Sequence, residues 1–414
     1  EGFYALQAKW ILENNNWIAP LWWGDISLDR TIGIQYIIAL SKKLFGDYMF
    51  TIYLPNIFAG IFMLYLTGLI HTELLGSKNK IASSIILAST YLWINYAHLA
   101  TQDIIFSSIV TLGIFAIIKS IKTKKNIFFL VSGIWIGIGF MMKTFLIFVP
   151  FFAIIPLLIR TKFFQNKFFL IGLIIGFIPF TFWSIDIFSI YGTEEYLGLF
   201  KKLLFLSKEN NFTNPIYYYI WNIPLNLLPW SIFSIIGLIY SQKFKDELSK
   251  YFLFIFPTLV IVLISCFSTK TPYYPIQILS LLSINAYLGV KIILKNNKQI
   301  TQVIRKAIFT INPILILIAV LYFNIDNSNL IGNNIQKLIL SFGLVFLSIS
   351  WFAVNLVNKF RRKLFFLLLG PYLLSLSLVQ SGLITDRSRD LRIASEQLVI
   401  RENLNNEKIE VIKS

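Results

Sequence analysis

Long apolar runs, interrupted by short polar stretches, dominate this chain of 414 residues. A membrane-spanning helix needs roughly 17–25 mostly apolar residues, and twelve runs come close to this length. They lie near residues 48–72, 81–97, 103–118, 126–142, 144–159, 168–186, 229–242, 251–268, 274–294, 307–323, 337–357 and 364–384. The pattern therefore predicts an all-α polytopic membrane protein with about twelve transmembrane helices, forming a domain over residues 48–384.

Basic residues are concentrated in every second gap between the apolar runs. The connections near 74–80, 119–125, 160–167, 243–250, 291–306 and 358–363 carry 21 of the 37 Lys and Arg residues but only three of the 20 acids. Lys and Arg are enriched in the cytoplasmic loops of membrane proteins. This set of connections is therefore predicted to face the cytoplasm, and the remaining gaps the outer side.

Composition supports a membrane protein and excludes other classes. With 56% hydrophobic residues and a mean hydropathy of +0.70, the chain is too apolar for a soluble domain of this size. The net charge of +17 comes from loops that would meet anionic lipids, so a nucleic-acid partner is not expected. The single Cys266 excludes a disulfide or a cysteine-based metal site within one chain.

Two outer segments are too long to be simple connections. Residues 1–47 combine apolar positions at helical spacing with four tryptophans, a pattern typical of amphipathic helices at a membrane surface. Residues 187–228 combine charged residues with an aromatic run, and outer loops of this length often form a site.

The polar tail over 385–414 has its own pattern. It predicts a helix over 388–403 and a strand over 407–413. Because such a pair cannot bury a core alone, we interpret the tail as the start of a small outer α/β domain. A cytoplasmic N-terminus would place one further span before residue 1, which makes thirteen spans the expectation for the full-length protein.

Charged and polar side chains at the outer edge of the predicted spans are the candidates for chemistry, because charges at membrane depth are costly. Cations of this kind suit a phosphate, and a carboxylate suits proton transfer or a metal ion. Each residue also has a structural interpretation: a lysine can mark the interface, an aspartate can cap a helix, and a histidine can be hydrogen-bonded locally. The candidates are Asp29, Arg30, His98, Asp103, Lys143, Lys270 and Tyr274.

Short motifs occur along the first two thirds of the chain: Glu1-Gly-Phe-Tyr4-Ala5, Trp17-Ile-Ala-Pro20, Leu28-Asp29-Arg30-Thr31, Leu44-Phe45-Gly46, Ala97-His98 to Asp103, Gly137-Ile-Gly139 to Lys143, Pro215-Ile-Tyr-Tyr-Tyr219 to Leu228-Pro229-Trp230, and Lys270-Thr-Pro272-Tyr-Tyr274. In this order they resemble motifs of bacterial lipid-dependent glycosyltransferases with the GT-C fold. The similar groups are the lipid A aminoarabinose transferases and the wider dolichyl-phosphate-mannose–protein mannosyltransferase-like family.

The resemblance implies an inverting glycosyltransferase of the bacterial inner membrane with its active site facing the periplasm. It implies a polyprenyl-phosphate-linked sugar as donor and a lipid, glycan or protein as acceptor. It does not decide whether the reaction requires a divalent metal ion. By position, it implies catalytic roles for Asp29, Asp103 and Glu1, and metal or acceptor contacts for Asp29 and His98. The residues implied to bind the donor phosphate are Arg30, Lys143, Lys270 and Tyr274.

The match to the aminoarabinose transferases is incomplete. Phe3 stands where those enzymes have Arg, and Thr31-Ile32 replace a Pro-Pro pair, so lipid A is not singled out as the acceptor. The catalytic base of the family is the Asp that would immediately precede Glu1.

Two functions of other classes compete with this interpretation. A secondary transporter or lipid flippase would usually show inverted repeats and broken helices near the membrane midplane, and the sequence shows no repeat. A silent accessory subunit of a glycosylation complex would lack the base, so the residue before Glu1 discriminates between it and an enzyme.

Overall fold

The structure, a computed structural model, describes residues 2–19, 21–22, 25–26, 30–76, 79–206, 214–325, 334–385 and 389–402. Within these ranges most of the chain is helical, which confirms the predicted all-α class. Two short strands, β1 (Leu21–Trp22) and β2 (Asp25–Ile26), pair antiparallel and join the two helices of the N-terminal segment. The strand predicted over 407–413 lies outside the described residues.

The helices follow one another along the whole described chain. Their bounds are α1 Gly2–Glu13, α2 Gly33–Phe45, α3 Leu54–Leu75, α4 Lys80–Ala88, α5 Tyr91–Ala97, α6 Gln102–Thr123, α7 Asn126–Lys143, α8 Phe148–Arg160, α9 Lys167–Leu206, α10 Tyr218–Asn226, α11 Ser231–Ser241, α12 Glu247–Lys250, α13 Phe256–Ser265, α14 Leu279–Lys295, α15 Gln299–Lys306, α16 Asn312–Ile325, α17 Asn334–Leu356, α18 Phe360–Gln380 and α19 Arg389–Arg401. Short 3-10 turns precede α3, α8, α9 and α14, and π-helical turns precede α13 and α16.

The count of twelve spans is not confirmed. Among the described residues, nine helical runs are long and apolar enough to cross a membrane, and the pair α10 and α11, bent by 117°, would make a tenth. The predicted span over 81–97 consists of two short helices, α4 and α5, because the chain breaks at Ser89 and Thr90.

A sharp turn after Lys143 separates α7 from α8. Thr144 has a φ of 46° and does not continue the helix. The ring of Phe148 packs 5.7 Å from that of Phe140, although residues eight apart in one helix would be about 12 Å apart. This agrees with the separate spans 126–142 and 144–159 that the sequence predicts, although Asn126–Arg160 counts as one of the nine runs above, and it leaves Lys143 at the end of α7.

Close approach of α7 and α9 depends on two glycine pairs. A Cβ atom on Gly137 would lie 2.2 Å from the backbone of Gly176, and one on Gly133 would lie 2.3 Å from the carbonyl oxygen of Phe169. The glycines on each helix are four residues apart, as in the small-residue stripes that let membrane helices touch through their backbones. This contact anchors the helix that ends at Lys143.

The central helix of the bundle is α14. This helix belongs to the apolar run Tyr274–Lys295, and 89% of the most apolar part of this run is buried inside the protein. In the runs Lys167–Glu194 and Gln299–Ile325, only 22% of the most apolar part is buried. Exposed Leu, Ile and Phe side chains cover the outer helices, as expected for surfaces in contact with lipid.

Contacts between helix ends place the basic connections on one face of the bundle. Glu73, near the end of α3, pairs with Lys119 and Lys122, near the end of α6, at 2.6 and 3.4 Å. Arg160, at the end of α8, pairs with Glu247 at 2.6 Å. The opposite face carries the start of α6, the end of α7 and the entry to α14.

Candidate active site

Arg30 is the centre of a polar cluster on the face opposite the basic connections. It follows the β1–β2 hairpin and precedes α2, and it is half-buried. Its Nη1 donates to the hydroxyl of Tyr4 on α1 at 2.7 Å. With the Gln102 amide oriented so that its nitrogen donates to the carbonyl oxygen of Met142 at 2.7 Å, its oxygen accepts from Arg30 Nη1 at 2.8 Å.

Both of these contacts are made by Nη1. A guanidinium carries five N–H donors in a planar fork. Nε and Nη2 make no hydrogen bond to any residue that the structure describes, so the contacts among these residues leave one edge of the fork available. This edge has the geometry that binds a carboxylate or a phosphate with two parallel hydrogen bonds.

The surroundings of Arg30 favour its cationic form. Burial alone would lower the pKa of the guanidinium, but electrostatic interactions with Tyr4, Tyr273, Asp103 and Tyr274 together raise this pKa. Burial also raises the pKa of the Tyr4 hydroxyl, although Arg30 opposes the shift. The pair is therefore a fixed cation beside a neutral hydroxyl at physiological pH.

A buried ion pair lies beside Arg30. Lys143 Nζ donates to Asp103 Oδ1, and the two side chains are only 7% and 10% exposed. The other carboxylate oxygen of Asp103 accepts from Thr101 Oγ1 at 2.9 Å. Lys143 Nζ also lies 4.5 Å from the centre of the Tyr273 ring, within cation–π range. One oxygen of Asp103 thus joins the start of α6 to the end of α7, and the other is held within the start of α6.

Tyr273 and Tyr274 extend the cluster to the entry of α14. Their rings pack edge to face with centres 5.4 Å apart. Both residues, and also Asp103, are close enough to Arg30 for their electrostatic interactions to raise its pKa. Four of the predicted site residues, Arg30, Asp103, Lys143 and Tyr274, are therefore neighbours in one cluster.

Lys270 makes its contacts elsewhere. Its Nζ donates to the carbonyl oxygens of Asn214 at 2.8 Å and Phe267 at 2.6 Å, and its own carbonyl oxygen accepts from Asn214 Nδ2 at 3.1 Å. The side chain thus joins the loop before Tyr273 to the start of the segment that leads to α10.

His98 is held within its own helical turn. Its Nδ1 donates to the carbonyl oxygen of Ile94 at 2.8 Å, because a carbonyl oxygen only accepts. Nε2 is buried and has no hydrogen-bond partner among the described residues. No three His, Cys, Asp or Glu side chains in the described ranges approach closely enough to hold a metal ion. Glu1 and Asp29 lie outside those ranges.

Three residues of the cluster were not singled out from the sequence. Gln102 precedes Asp103, and Tyr4 and Tyr273 stand inside motifs that the resemblance uses. The motifs therefore include these positions. Their roles depend on contacts with Arg30 and Lys143, which are distant from them in the sequence.

Comparison with known proteins gives matches of three kinds. Residues 29–185 match the family described as dolichyl-phosphate-mannose–protein mannosyltransferase. An uncharacterised protein of Aquifex aeolicus is 24% identical over 66% of this chain and 55% of its own length. The undecaprenyl phosphate-alpha-4-amino-4-deoxy-L-arabinose arabinosyl transferase of Wigglesworthia glossinidia brevipalpis is 26% identical over 86% of this chain and 66% of its own. The chain thus spans between half and two thirds of these relatives.

Among solved structures, ArnT of Cupriavidus metallidurans has a similar architecture. The crystal structure bound to undecaprenyl phosphate matches with a TM-score of 0.71 and 12% identity over 93% of this chain and 72% of that one. The apo structure matches with a TM-score of 0.72 and 13% identity over 92% and 72%. The resemblance noted in the sequence is therefore confirmed, and the chain has the GT-C fold of membrane glycosyltransferases.

Proposed function

We propose that this protein transfers a sugar from a polyprenyl-phosphate-linked donor to a hydroxyl-bearing acceptor, with inversion at the sugar carbon, and that Arg30 binds the donor phosphate. The observation that carries the proposal is the Nε–Nη2 edge of Arg30, which no described residue contacts, on a guanidinium held in place by Tyr4 and Gln102. The names of the curated relatives and the lipid in the ArnT structure support the same class of donor.

The reaction needs charge stabilisation at one oxygen and a proton acceptor at another. The acceptor oxygen attacks C1 of the sugar, the C1–O bond to phosphate breaks, and its electron pair moves to the phosphate oxygen. A guanidinium fixed before the reaction stabilises that developing charge without reorganisation. The proton of the acceptor hydroxyl passes to a carboxylate, for which Asp29 and Glu1 remain sequence predictions.

We assign Asp103 and Lys143 a positioning role in this reaction. Both carboxylate oxygens of Asp103 are engaged, and Lys143 lies against the Tyr273 ring beside Arg30. Their ion pair would keep α6, α7 and the Tyr273–Tyr274 segment together around the donor. Lys270, bound to two carbonyl oxygens, would hold the loop that presents the tyrosines.

The charge distribution supports a periplasmic site. The basic connections share the face opposite Arg30, and basic loops remain in the cytoplasm. The acceptor would then be a lipid, glycan or protein of the cell envelope.

Consumption of labelled polyprenyl-phosphate-linked sugars by membranes that contain the full-length protein tests the proposal. We expect one such donor to release free polyprenyl phosphate with the wild-type protein, and much less of it with the Arg30→Ala variant. Lys201→Ala, which removes an exposed cation from the 187–228 segment, should remain active. Equal donor consumption by wild-type and Arg30→Ala membranes would refute the proposal.

A further inference from the structure

A second polar site lies on the opposite face of the bundle, at the far end of α14. A cavity of about 630 Å³ opens there between the ends of α3 and α14 and the connection from α11 to α12. One wall is apolar and includes Leu74, Leu288 and Ile292. None of these residues takes part in the Arg30 cluster.

Three lysines line this cavity. Lys291 and Lys295 are one helical turn apart on α14, and Lys245 comes from the connection before α12. None of the three has an acidic partner within 4.0 Å among the residues that the structure describes. Lys295 Nζ lies 5.0 Å from the centre of the Phe360 ring.

One acid, Asp246, also lines the cavity, and one of its carboxylate oxygens is bonded to Ser249. Asp246 Oδ2 accepts from the backbone N–H of Ser249 at 3.0 Å and from the Ser249 hydroxyl, and so caps α12. The same hydroxyl lies 2.7 Å from the carbonyl oxygen of Leu74, so its single hydrogen is shared between these two acceptors. The cavity therefore keeps a positive excess of two charges.

The position of the cavity corresponds to a membrane interface. The 17 residues of α14 span about 25 Å at 1.5 Å per residue, which is close to the thickness of a bilayer core. Since α14 begins beside Tyr274, its last turn lies near the opposite headgroup layer. Cations next to an apolar wall at that depth match a phosphate group that is attached to acyl chains.

We propose that this cavity binds the phosphate headgroup of an anionic phospholipid from the adjacent leaflet. Lys245, Lys291 and Lys295 contact the phosphate, and the acyl chains lie against the apolar wall. The site would fix the ends of α3, α11 and α14 relative to one another. The proposal does not depend on the glycosyltransferase reaction.

Phosphatidylglycerol, in competition with phosphatidylcholine, is the probe for this site. The full chain is reconstituted into nanodiscs that contain both lipids, and the retained lipid is quantified by native mass spectrometry. We expect wild type to retain phosphatidylglycerol preferentially. A lysine near a membrane surface contributes roughly fivefold in affinity for anionic lipid, so Lys245→Gln, Lys291→Gln and Lys295→Gln together should lower the preference by about 100-fold.

The matched control removes three exposed lysines outside the cavity, through Lys125→Gln, Lys167→Gln and Lys306→Gln. This variant should keep the wild-type preference. If the first triple variant fails to fold, Lys291→Gln should lower retention alone and Lys291→Arg should restore it. Equal retention by wild type and the folded cavity variant, or displacement of the lipid by inorganic phosphate, would overturn the proposal.

Discussion

At the scale of single residues, the candidate site depends on how Arg30 is oriented. Its half-buried guanidinium is held through Nη1 by two neutral oxygens, those of Tyr4 and Gln102. No carboxylate of a described residue lies within ion-pair distance of it, so none of these residues neutralises its charge directly. This leaves Arg30 suited to an anionic ligand.

Replacement of Arg30 should weaken donor binding more than it destabilises the fold. Arg30→Ala removes a charge-assisted contact worth about 1.5–3 kcal/mol. Arg30→Lys should keep part of that binding free energy, because a lysine can still act as a point charge toward phosphate. Titration of a polyprenyl phosphate into the purified full-length variants measures the difference. Binding that is unchanged in both variants would remove Arg30 from the site.

Removal of the Tyr4 hydroxyl should act through Arg30. Tyr4→Phe deletes one of the two acceptors that orient Nη1, so donor affinity should fall by less than it does in Arg30→Ala. In the double variant, Tyr4→Phe should add almost nothing to the loss caused by Arg30→Ala, because coupled residues give non-additive free energies. Additive losses in this double-mutant cycle would mean that Tyr4 contacts the ligand independently.

The Lys143–Asp103 pair should matter mainly for stability. Loss of one partner leaves a buried charge, and this costs roughly 3–5 kcal/mol, whereas replacement of both partners by apolar residues costs much less. Lys143→Met should therefore lower the thermal unfolding temperature more than Lys143→Met combined with Asp103→Leu does. A double variant less stable than the single one would show that the pair is not an isolated ion pair.

At the scale of elements, the site is assembled where helices begin and end. The start of α6 supplies Gln102 and Asp103, the end of α7 supplies Lys143, and the turn before α14 supplies the tyrosines. The position of α7 depends in turn on its glycine contact with α9, where the backbones touch. Packing inside the membrane and the geometry of the site are thus connected through one helix.

A methyl group at Gly137 should disturb this contact. In Gly137→Ala the new Cβ would meet the backbone of Gly176, and such overpacking costs about 1–3 kcal/mol. Gly198→Ala on α9 is the matched control, because no atom lies within 4 Å of its Cβ position and alanine favours helix over glycine. Thermal unfolding in detergent should show a lower midpoint for the first variant and an equal or higher one for the second. The idea fails if Gly137→Ala is as stable as wild type.

At the scale of the whole molecule, the bundle has one face with the Arg30 cluster and another with the lysine-lined cavity. The hydropathy pattern predicted most helices, since it reports which segments leave water. It did not reveal the break between α4 and α5, because Ser89 and Thr90 are compatible with a span. The pattern also carries no information on which residues meet in space. Only the three-dimensional structure shows that Lys270 binds the carbonyl oxygen of Asn214 and that Gln102 contacts Arg30.

The assignment of the two faces to the two sides of the membrane is a prediction that labelling can test. In a Cys266→Ser background, the exposed positions Lys9 and Lys201 changed to cysteine should react with an impermeant maleimide in intact cells whose inner membrane is accessible. Lys243→Cys should react only after the membrane is opened. Reaction of Lys243→Cys from outside would reverse the topology.

A structure of the full-length protein with a bound polyprenyl phosphate tests the central claim most directly. The account predicts phosphate oxygens about 2.7–2.9 Å from Nε and Nη2 of Arg30, with Tyr4 and Gln102 still bound to Nη1. A phosphate bound elsewhere on the molecule, with the Arg30 edge still empty, would contradict it.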